Sequence, residues 1–269
     1  MIRNDRPIRE IWPQDSPDLS QEIRDDTPPV VGGILLGERT VDALSIKDGT
    51  ARGLTGGYDV LAKVLQTSDL HRFFVGRIAN VQRIARPIPE EALVGALLDR
   101  YESTTFGHAL VKFRPNPRIV SVVDVLRLYQ HGRLDSGLRL QDVATRPLPA
   151  VPRSMPLEEA ARIMVEKRVR RLFVEGEPRS VITDRSLIRV LFSPEMLEWA
   201  GEHPGRLPPL TIGALEPRPV LELDVAMRVP AAAVQFDLNA AEAIFCSAGV
   251  VTPWDLVMKP FARGDLSLV

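Results

Sequence analysis

Four stretches of the chain carry the same order of apolar and polar positions. Each has an apolar strand, a short turn, a second apolar strand and a helix start marked by an acid or a hydroxyl. They close on Gly53–Asp59, Arg118–Asp124, Ser180–Ser186 and Gly249–Asp255, and their last residues lie 65, 62 and 69 positions apart. A near-constant period of this size marks a repeated supersecondary unit. Helical stripes follow: Val60, Leu61, Val64 and Leu65; then Val125, Leu126, Leu128 and Tyr129; then Leu187, Ile188, Val190 and Leu191. Their three- and four-residue spacing is that of one helix face. In the fourth copy Leu256 and Val257 begin the same helix, which is predicted to end near Pro260.

Upstream of each stretch a further helix is predicted. In the third copy Leu157, Ala160, Ala161, Met164 and Val165 share a face behind Pro156, with Glu158 and Glu159 in the first turn, before the strand Leu172–Val174. Acids there suit the positive end of the helix dipole. The second copy repeats the plan with Pro89-Glu90-Glu91, the stripe Leu93, Ala96, Leu97 and Tyr101, and the strand Ala109–Val111. In the first copy glycines interrupt the pattern around Val30–Leu36, and in the fourth Pro230 falls within Ala226–Val234. Both residue types disfavour helix interiors, so these two helices are expected to be short or irregular.

Composition narrows the function classes. Charge is balanced at 34 basic against 35 acidic residues, which gives no global field for nucleic acid or an anionic membrane. Lysines number only five, so the basic residues are overwhelmingly arginine, a side chain suited to bidentate phosphate contacts. The one cysteine, Cys246, excludes an internal disulfide and lies in an apolar run, where a buried thiol is expected. The polar start Met1–Asp5 lacks the apolar core of a signal peptide, and no apolar run is long enough to span a bilayer. A cytoplasmic protein is the expectation.

The helix starts carry the candidate chemistry. Thr252-Pro253-Trp254-Asp255 and Ser121-Val122-Val123-Asp124 are hydroxyl-x-x-carboxylate patterns. Such a pattern caps a helix, each side chain satisfying a free backbone N–H, and Pro253 fits the first helical position. The same N-terminus is also a ready site for an anion. The motif alone leaves both open.

These residues resemble the cystathionine-β-synthase (CBS) domain family. The third copy is the nearest match, from Val143-Ala144-Thr145-Arg146-Pro147 to Val181-Ile182-Thr183-Asp184-Arg185, and Gly249–Asp255 carries the family's nucleotide signature intact. The resemblance implies an α/β fold of four β-α-β-β-α repeats, at 8–68, 69–133, 138–195 and 205–263. Consecutive copies would pair into two modules in a pseudo-symmetric disk, as in chains resembling the γ subunit of AMP-activated protein kinase. A link between modules is expected near His131–Gly137.

In that family the hydroxyl and the first helical amides face a phosphate, and the Asp accepts both ribose hydroxyls. Basic residues at a partner copy's strand start reach the phosphate. Carried onto this chain, the first-ranked site joins Gly249, Thr252 and Asp255 to Arg170 and Arg171. Capping has no use for those arginines, though pairing with Glu175 or Glu177 would also occupy them. The second-ranked site joins Asp59 and Gly56, which stands where a hydroxyl is expected, to His108. Ser121 and Asp124 form a weaker site with only Arg39 nearby. In the third copy Ser186 replaces the Asp, so that position is expected to be empty or weakly filled.

Other constellations do not form. His71, His108, His131 and His203 lack metal-ligand spacing, and Gly53–Gly57 lacks the Gly-Lys-Ser/Thr of a phosphate loop. No catalytic residues and no catalytic cofactor are expected. Residues 195–209 read as an insertion or linker, and Trp254 is expected at a module edge. The expected function is a regulatory sensor that takes AMP, ADP or ATP as ligand and acts on an unidentified partner protein. A homodimer stays open, and neither nucleic acid nor membrane is an expected partner. The alternatives are an oligomerisation scaffold with vestigial sites and a sensor of S-adenosylmethionine, whose sulfonium has no need of Arg170 and Arg171.

Overall fold

A computed structural model describes residues 2–12, 21–37, 43–48, 51–114, 116–147, 150–176, 180–239 and 241–269; Arg39 and Glu177 lie outside them. The β-α-β-β-α unit appears four times. Copy 1 is β1 (Gln21–Arg24), α1 (Pro29–Gly37), β2 (Ala43–Asp48), β3 (Ala51–Gly56) and α2 (Gly57–Gln66). Copy 2 is β4 (Ile88–Pro89), α3 (Val94–Thr104), β5 (His108–Lys112), β6 (Arg118–Ser121) and α4 (Val122–Gln130). Copy 3 is β7 (Ala150–Val151), α5 (Leu157–Lys167), β8 (Arg171–Val174), β9 (Ser180–Thr183) and α6 (Asp184–Leu191). Copy 4 is β10 (Leu221–Glu222), α7 (Val229–Leu238), β11 (Ile244–Cys246), β12 (Gly249–Val251) and α8 (Pro253–Ala262). In every copy the first strand runs parallel to the second and the third returns antiparallel to it.

The helices expected to be irregular are continuous, and packing explains both. In α1 a Cβ at Gly33 would lie 2.3 Å from the Phe192 ring, and one at Gly32 would lie 2.9 Å from Ile78 Cδ1. The glycines therefore let α1 approach its neighbours closely, a gain that outweighs about 1 kcal/mol of lost helix propensity each. Pro230 stands in the first turn of α7, where a missing N–H costs no helical bond.

Two further boundaries differ from expectation. Helix α3 opens at Val94, so its buried face is Val94, Leu97, Leu98 and Tyr101, while Leu93 and Ala96 are exposed. Helix α8 continues through Pro260 to Ala262. Proline cannot donate to the carbonyl four residues back. That carbonyl, of Leu256, instead accepts from Tyr129 Oη at 3.1 Å.

The chain forms two compact units, and each takes alternate copies rather than consecutive ones. The even unit holds copies 2 and 4 in Met1–Asp18, Arg86–Pro147 and Pro219–Val269; the odd unit holds copies 1 and 3 in Leu19–Ala85 and Leu148–Arg218. Helix stripes are the cause. In the even unit Val125, Leu126 and Tyr129 of α4 share one core with Ala232, Ala233 and Phe236 of α7 and with Leu256 and Val257 of α8. In the odd unit Val60, Leu61 and Val64 of α2 share a core with Ala160, Ala161 and Met164 of α5 and with Leu187, Ile188 and Leu191 of α6. Burying the four large apolar side chains of a stripe such as that of α4 is worth roughly 6–12 kcal/mol. That is comparable with the net stability of a whole domain, so the shared cores are a large part of what holds each unit together.

Both described ends of the chain pack in the even unit, although residue 8 was expected to open the first copy. Ile8, Ile11 and Trp12 enter its core, and the Asp5 carboxylate accepts from Gly95 N at 3.2 Å in the first turn of α3. The expected link is itself structured: Leu134–Ser136 pairs antiparallel with Leu266–Leu268, and Asp265 Oδ2 accepts from Ser136 Oγ and Gly137 N. Residues 194–202, expected in an insertion, form a helix whose Trp199 stacks on His203 at 3.8 Å. Cys246 is buried in the even core. No helix among the described residues is long and apolar enough to cross a membrane.

Candidate nucleotide-binding site

The helix start after the third strand has the same geometry in all four copies. The residue preceding the helix is extended, and its N–H donates to the third helical residue. The bonds are Gly56 N to Asp59 Oδ2 at 3.1 Å, Ser121 N to Asp124 Oδ2 at 2.7 Å, Thr183 N to Ser186 Oγ at 3.4 Å and Thr252 N to Asp255 Oδ2 at 2.8 Å. Two hydroxyls add to this, Ser121 Oγ donating at 2.7 Å and Thr252 Oγ1 at 2.8 Å, each to the carboxylate of its own motif. The N–H half of a cap is therefore made in every copy, including the third, where a serine hydroxyl takes the place of the carboxylate, and Ser121 and Thr183 also accept from the third residue's N–H.

The carboxylates are built into more than caps. Asp59 and Asp255 are buried, and each of the three aspartates meets a cation on its other oxygen. Asp59 Oδ1 accepts from Arg83 Nε at 2.5 Å, Asp124 Oδ1 from Arg127 Nη1 at 3.1 Å, and Asp255 Oδ1 lies 3.1 Å from Lys259 Nζ. Burial pushes the Asp59 carboxyl above its ordinary value of 3.8, against the pull of the Arg83 guanidinium. A charge taken out of water must be paired to be tolerated, and these three cations do that pairing.

The basic candidates stand at strand starts. Arg171 opens β8 directly across from Thr183, and His108 opens β5 directly across from Ser121. Each thus neighbours the helix-capping hydroxyl of its own copy. His108 is buried and packs its ring against Phe106 at 4.9 Å. Arg170 Nε donates to Asp184 Oδ2 at 2.7 Å. That carboxylate is buried and lies 2.7 Å from where a Cβ of Gly57 would be, so an aspartate of copy 3 already faces the glycine-rich helix start of copy 1. Thr252 and Asp255 belong to the even unit and Arg170 and Arg171 to the odd unit; Asp59 and Gly56 are in the odd unit and His108 in the even.

Gly249 has a structural task. Its φ is +139°, and a Cβ would fall 2.0 Å from the Thr145 carbonyl oxygen, so only glycine fits. Trp254 packs within the even unit, its indole 3.8 Å from where a Cβ of Gly107 would be. Among the described residues no group of three or more His, Cys, Asp or Glu side chains could hold a metal ion.

Sequence reasoning missed four partners. Arg127 and Lys259 follow their aspartates by three and four residues, a spacing that puts them on one helix face and was readable in advance. Arg83 and Asp184 carried no such local signal. The strand Arg83–Ile84 has to lie antiparallel to β3 before Arg83 meets Asp59, and α6 has to pack beside α2 before Asp184 meets Gly57.

Comparison with known proteins agrees with this architecture. Residues 140–193, which contain nearly all of copy 3, match the family model described as CBS domain. No curated protein matches the sequence. Among solved structures, protein MJ1225 from Methanocaldococcus jannaschii, described as a candidate archaeal homologue of g-AMPK, is 16% identical. It aligns with a TM-score of 0.76 over 95% of this chain and 99% of its own. An uncharacterised conserved protein from Pyrococcus horikoshii is 13% identical, with a TM-score of 0.51 over 80% of this chain and 89% of its own. At such identities the likeness is one of fold: the chain has the four-repeat architecture along nearly its whole length.

Proposed function

We propose that this chain is a regulatory adenine-nucleotide-binding module, taking AMP, ADP or ATP and passing its occupancy to a partner protein rather than catalysing a reaction. Asp255, Asp59 and Asp124 are the ribose acceptors in this proposal. Thr252, Ser121, Gly249 and Gly56, with the helix amides beside them, face phosphate, and Arg170, Arg171 and His108 supply positive character. The observation that carries it is the treatment of the carboxylates. A cap works at the surface, yet Asp59 and Asp255 are buried and each is given a counter-cation. A desolvated carboxylate held beside a specific charge partner is a candidate for a functional site.

An oligomerisation scaffold is the second proposal, and one observation favours it. In each copy the N–H before the helix already donates to the third helical residue, and Asp255 already accepts two hydrogen bonds from Thr252 and pairs with Lys259.

Titration calorimetry with AMP, ADP, ATP and S-adenosylmethionine separates the two. Heat is expected with at least one nucleotide. Asp255→Ala or Arg171→Ala should weaken its binding about 10- to 100-fold, the loss of one or two charged hydrogen bonds. No heat with any of the four leaves the scaffold. Binding that survives both substitutions moves the site elsewhere in the chain.

A further inference from the structure

The stretch Val143–Pro147 leads the chain out of the even unit, whose middle segment ends at Pro147. It is gripped twice by the copy 4 motif. Ahead of that motif, Thr145 exchanges both backbone hydrogen bonds with Val250, N to O at 2.9 Å and O from N at 3.0 Å, and Gly249 lies against its carbonyl. Behind it, Lys259 stands one helical turn after Asp255. Its ammonium lies 3.1 Å from Asp255 Oδ1 and donates to the Val143 carbonyl at 2.7 Å. That carbonyl ends the short helix Leu140–Val143, where orphan carbonyls favour a cation.

Lys259 therefore has two acceptors with different fates. Asp255 is the group that a ribose would engage; Val143 belongs to the connector. An ammonium has three N–H donors, so its hydrogen bond to Val143 and its ion pair with Asp255 coexist. Thr252 N–H and Oγ1–H hold Asp255 Oδ2, and Lys259 meets Oδ1, so Lys259 fixes the rotation of the carboxylate. Ribose hydroxyls donating to Asp255 would share its negative charge and loosen its claim on the ammonium, leaving more of Lys259 for Val143. Binding at one group and order at the other are then linked, and linkage of this kind is reciprocal.

We propose that Lys259 is a positioning residue that couples Asp255 to the connector Val143–Pro147, so that ribose engagement tightens the connector. This rests on the nucleotide reading for its ligand, while the tie between Lys259 and the connector stands without one.

Hydrogen exchange on the full chain tests it, with AMP and 2′-deoxy-AMP as probes and calorimetry run alongside. With wild type, AMP is expected to slow exchange of the Thr145 and Val250 amides about tenfold, a typical coupling between sites, and 2′-deoxy-AMP to slow it less. Lys259→Met should still bind AMP, more weakly and with a smaller preference over 2′-deoxy-AMP, and should lose the slowing. Lys259→Arg, which keeps a multidentate cation, should regain it. Slowing that persists in Lys259→Met overturns the proposal, as does an unchanged AMP preference. If no nucleotide gives heat with wild type, the nucleotide reading fails and the apo proteins decide the coupling. Lys259→Met should then exchange Thr145 faster than wild type with the α3 amides unchanged, and equal rates at Thr145 sink it. Lys259→Gln, similar in length but uncharged, carries the same comparison should Lys259→Met not fold.

Discussion

Replacing Gly33 by alanine tests whether α1 owes its glycines to close packing. In isolation Gly→Ala inside a helix stabilises by about 0.5–1 kcal/mol. Here the new methyl would lie 2.3 Å from Phe192 Cγ and Cδ1 and 2.6 Å from Cε1. Carbon atoms prefer about 3.5–4.0 Å, so the ring must retreat by more than an ångström. Phe192 has little room, being buried and packed on Phe74 at a centroid distance of 5.0 Å. Overpacking of this kind costs about 1–3 kcal/mol. The net expectation is a loss of up to about 2.5 kcal/mol, from the overpacking cost less the helix gain. With a urea slope of about 2 kcal/mol/M, the midpoint should fall by up to roughly 1.2 M. Trp199 reports on the odd unit alone when Trp12 and Trp254 are both phenylalanine, so its fluorescence reads the unit concerned. Gly201→Ala is the control: outside its own stretch of helix nothing lies within 4 Å of its Cβ position, and its midpoint should rise. Phe192→Leu added to Gly33→Ala should show a favourable coupling of about 1 kcal/mol or more, as contacting residues do. If Gly33→Ala rises in step with Gly201→Ala, the close-approach account of α1 is refuted.

Asp59→Asn should stabilise the odd unit at pH 7. Burial raises the Asp59 pKa, so the folded state holds that proton more tightly than the unfolded chain, and ionisation destabilises the fold as pH rises above 3.8. The gain should shrink toward zero as pH falls below 3.8, which urea midpoints across pH 3–8 would show; a gain that grows on acidification contradicts the sign. Tyr129→Phe should cost about 1–2 kcal/mol by leaving the Leu256 carbonyl without its donor. In a Pro260→Ala background that cost should shrink, because residue 260 then supplies an N–H; equal costs in both backgrounds, read by calorimetric melting, would break the link.

The repeat was legible because its code is local. Apolar spacing placed α2, α4, α5 and α6, and Pro156 with its two acids marked the start of α5. Local rules failed where a neighbour decides. Gly32 and Gly33 look like helix breakers until Phe192 and Ile78 are set against them, and Pro260 looks like a stop until Tyr129 caps the freed carbonyl. In the stripe of α3 Leu97 and Tyr101 are buried as expected but Leu93 and Ala96 are not, because the Pro89-Glu90-Glu91 signal ends a strand and opens a turn before the helix begins. In the candidate site the capping half was readable from hydroxyl-x-x-carboxylate spacing. The Asp184 carboxylate facing Gly57 was not, since it depends on which copies share a core.

That sharing has a consequence for how the polypeptide can be divided. The even unit draws on three separate segments and the odd unit on two, interleaved along the chain. A single cut after Pro147 therefore yields two fragments, each with two whole repeats and neither with a complete unit. During synthesis copies 1 and 2 emerge first, and both must wait with their apolar stripes uncovered. The odd unit can close once Arg218 has left the ribosome, while the even unit needs the strand Leu266–Leu268 near the far end.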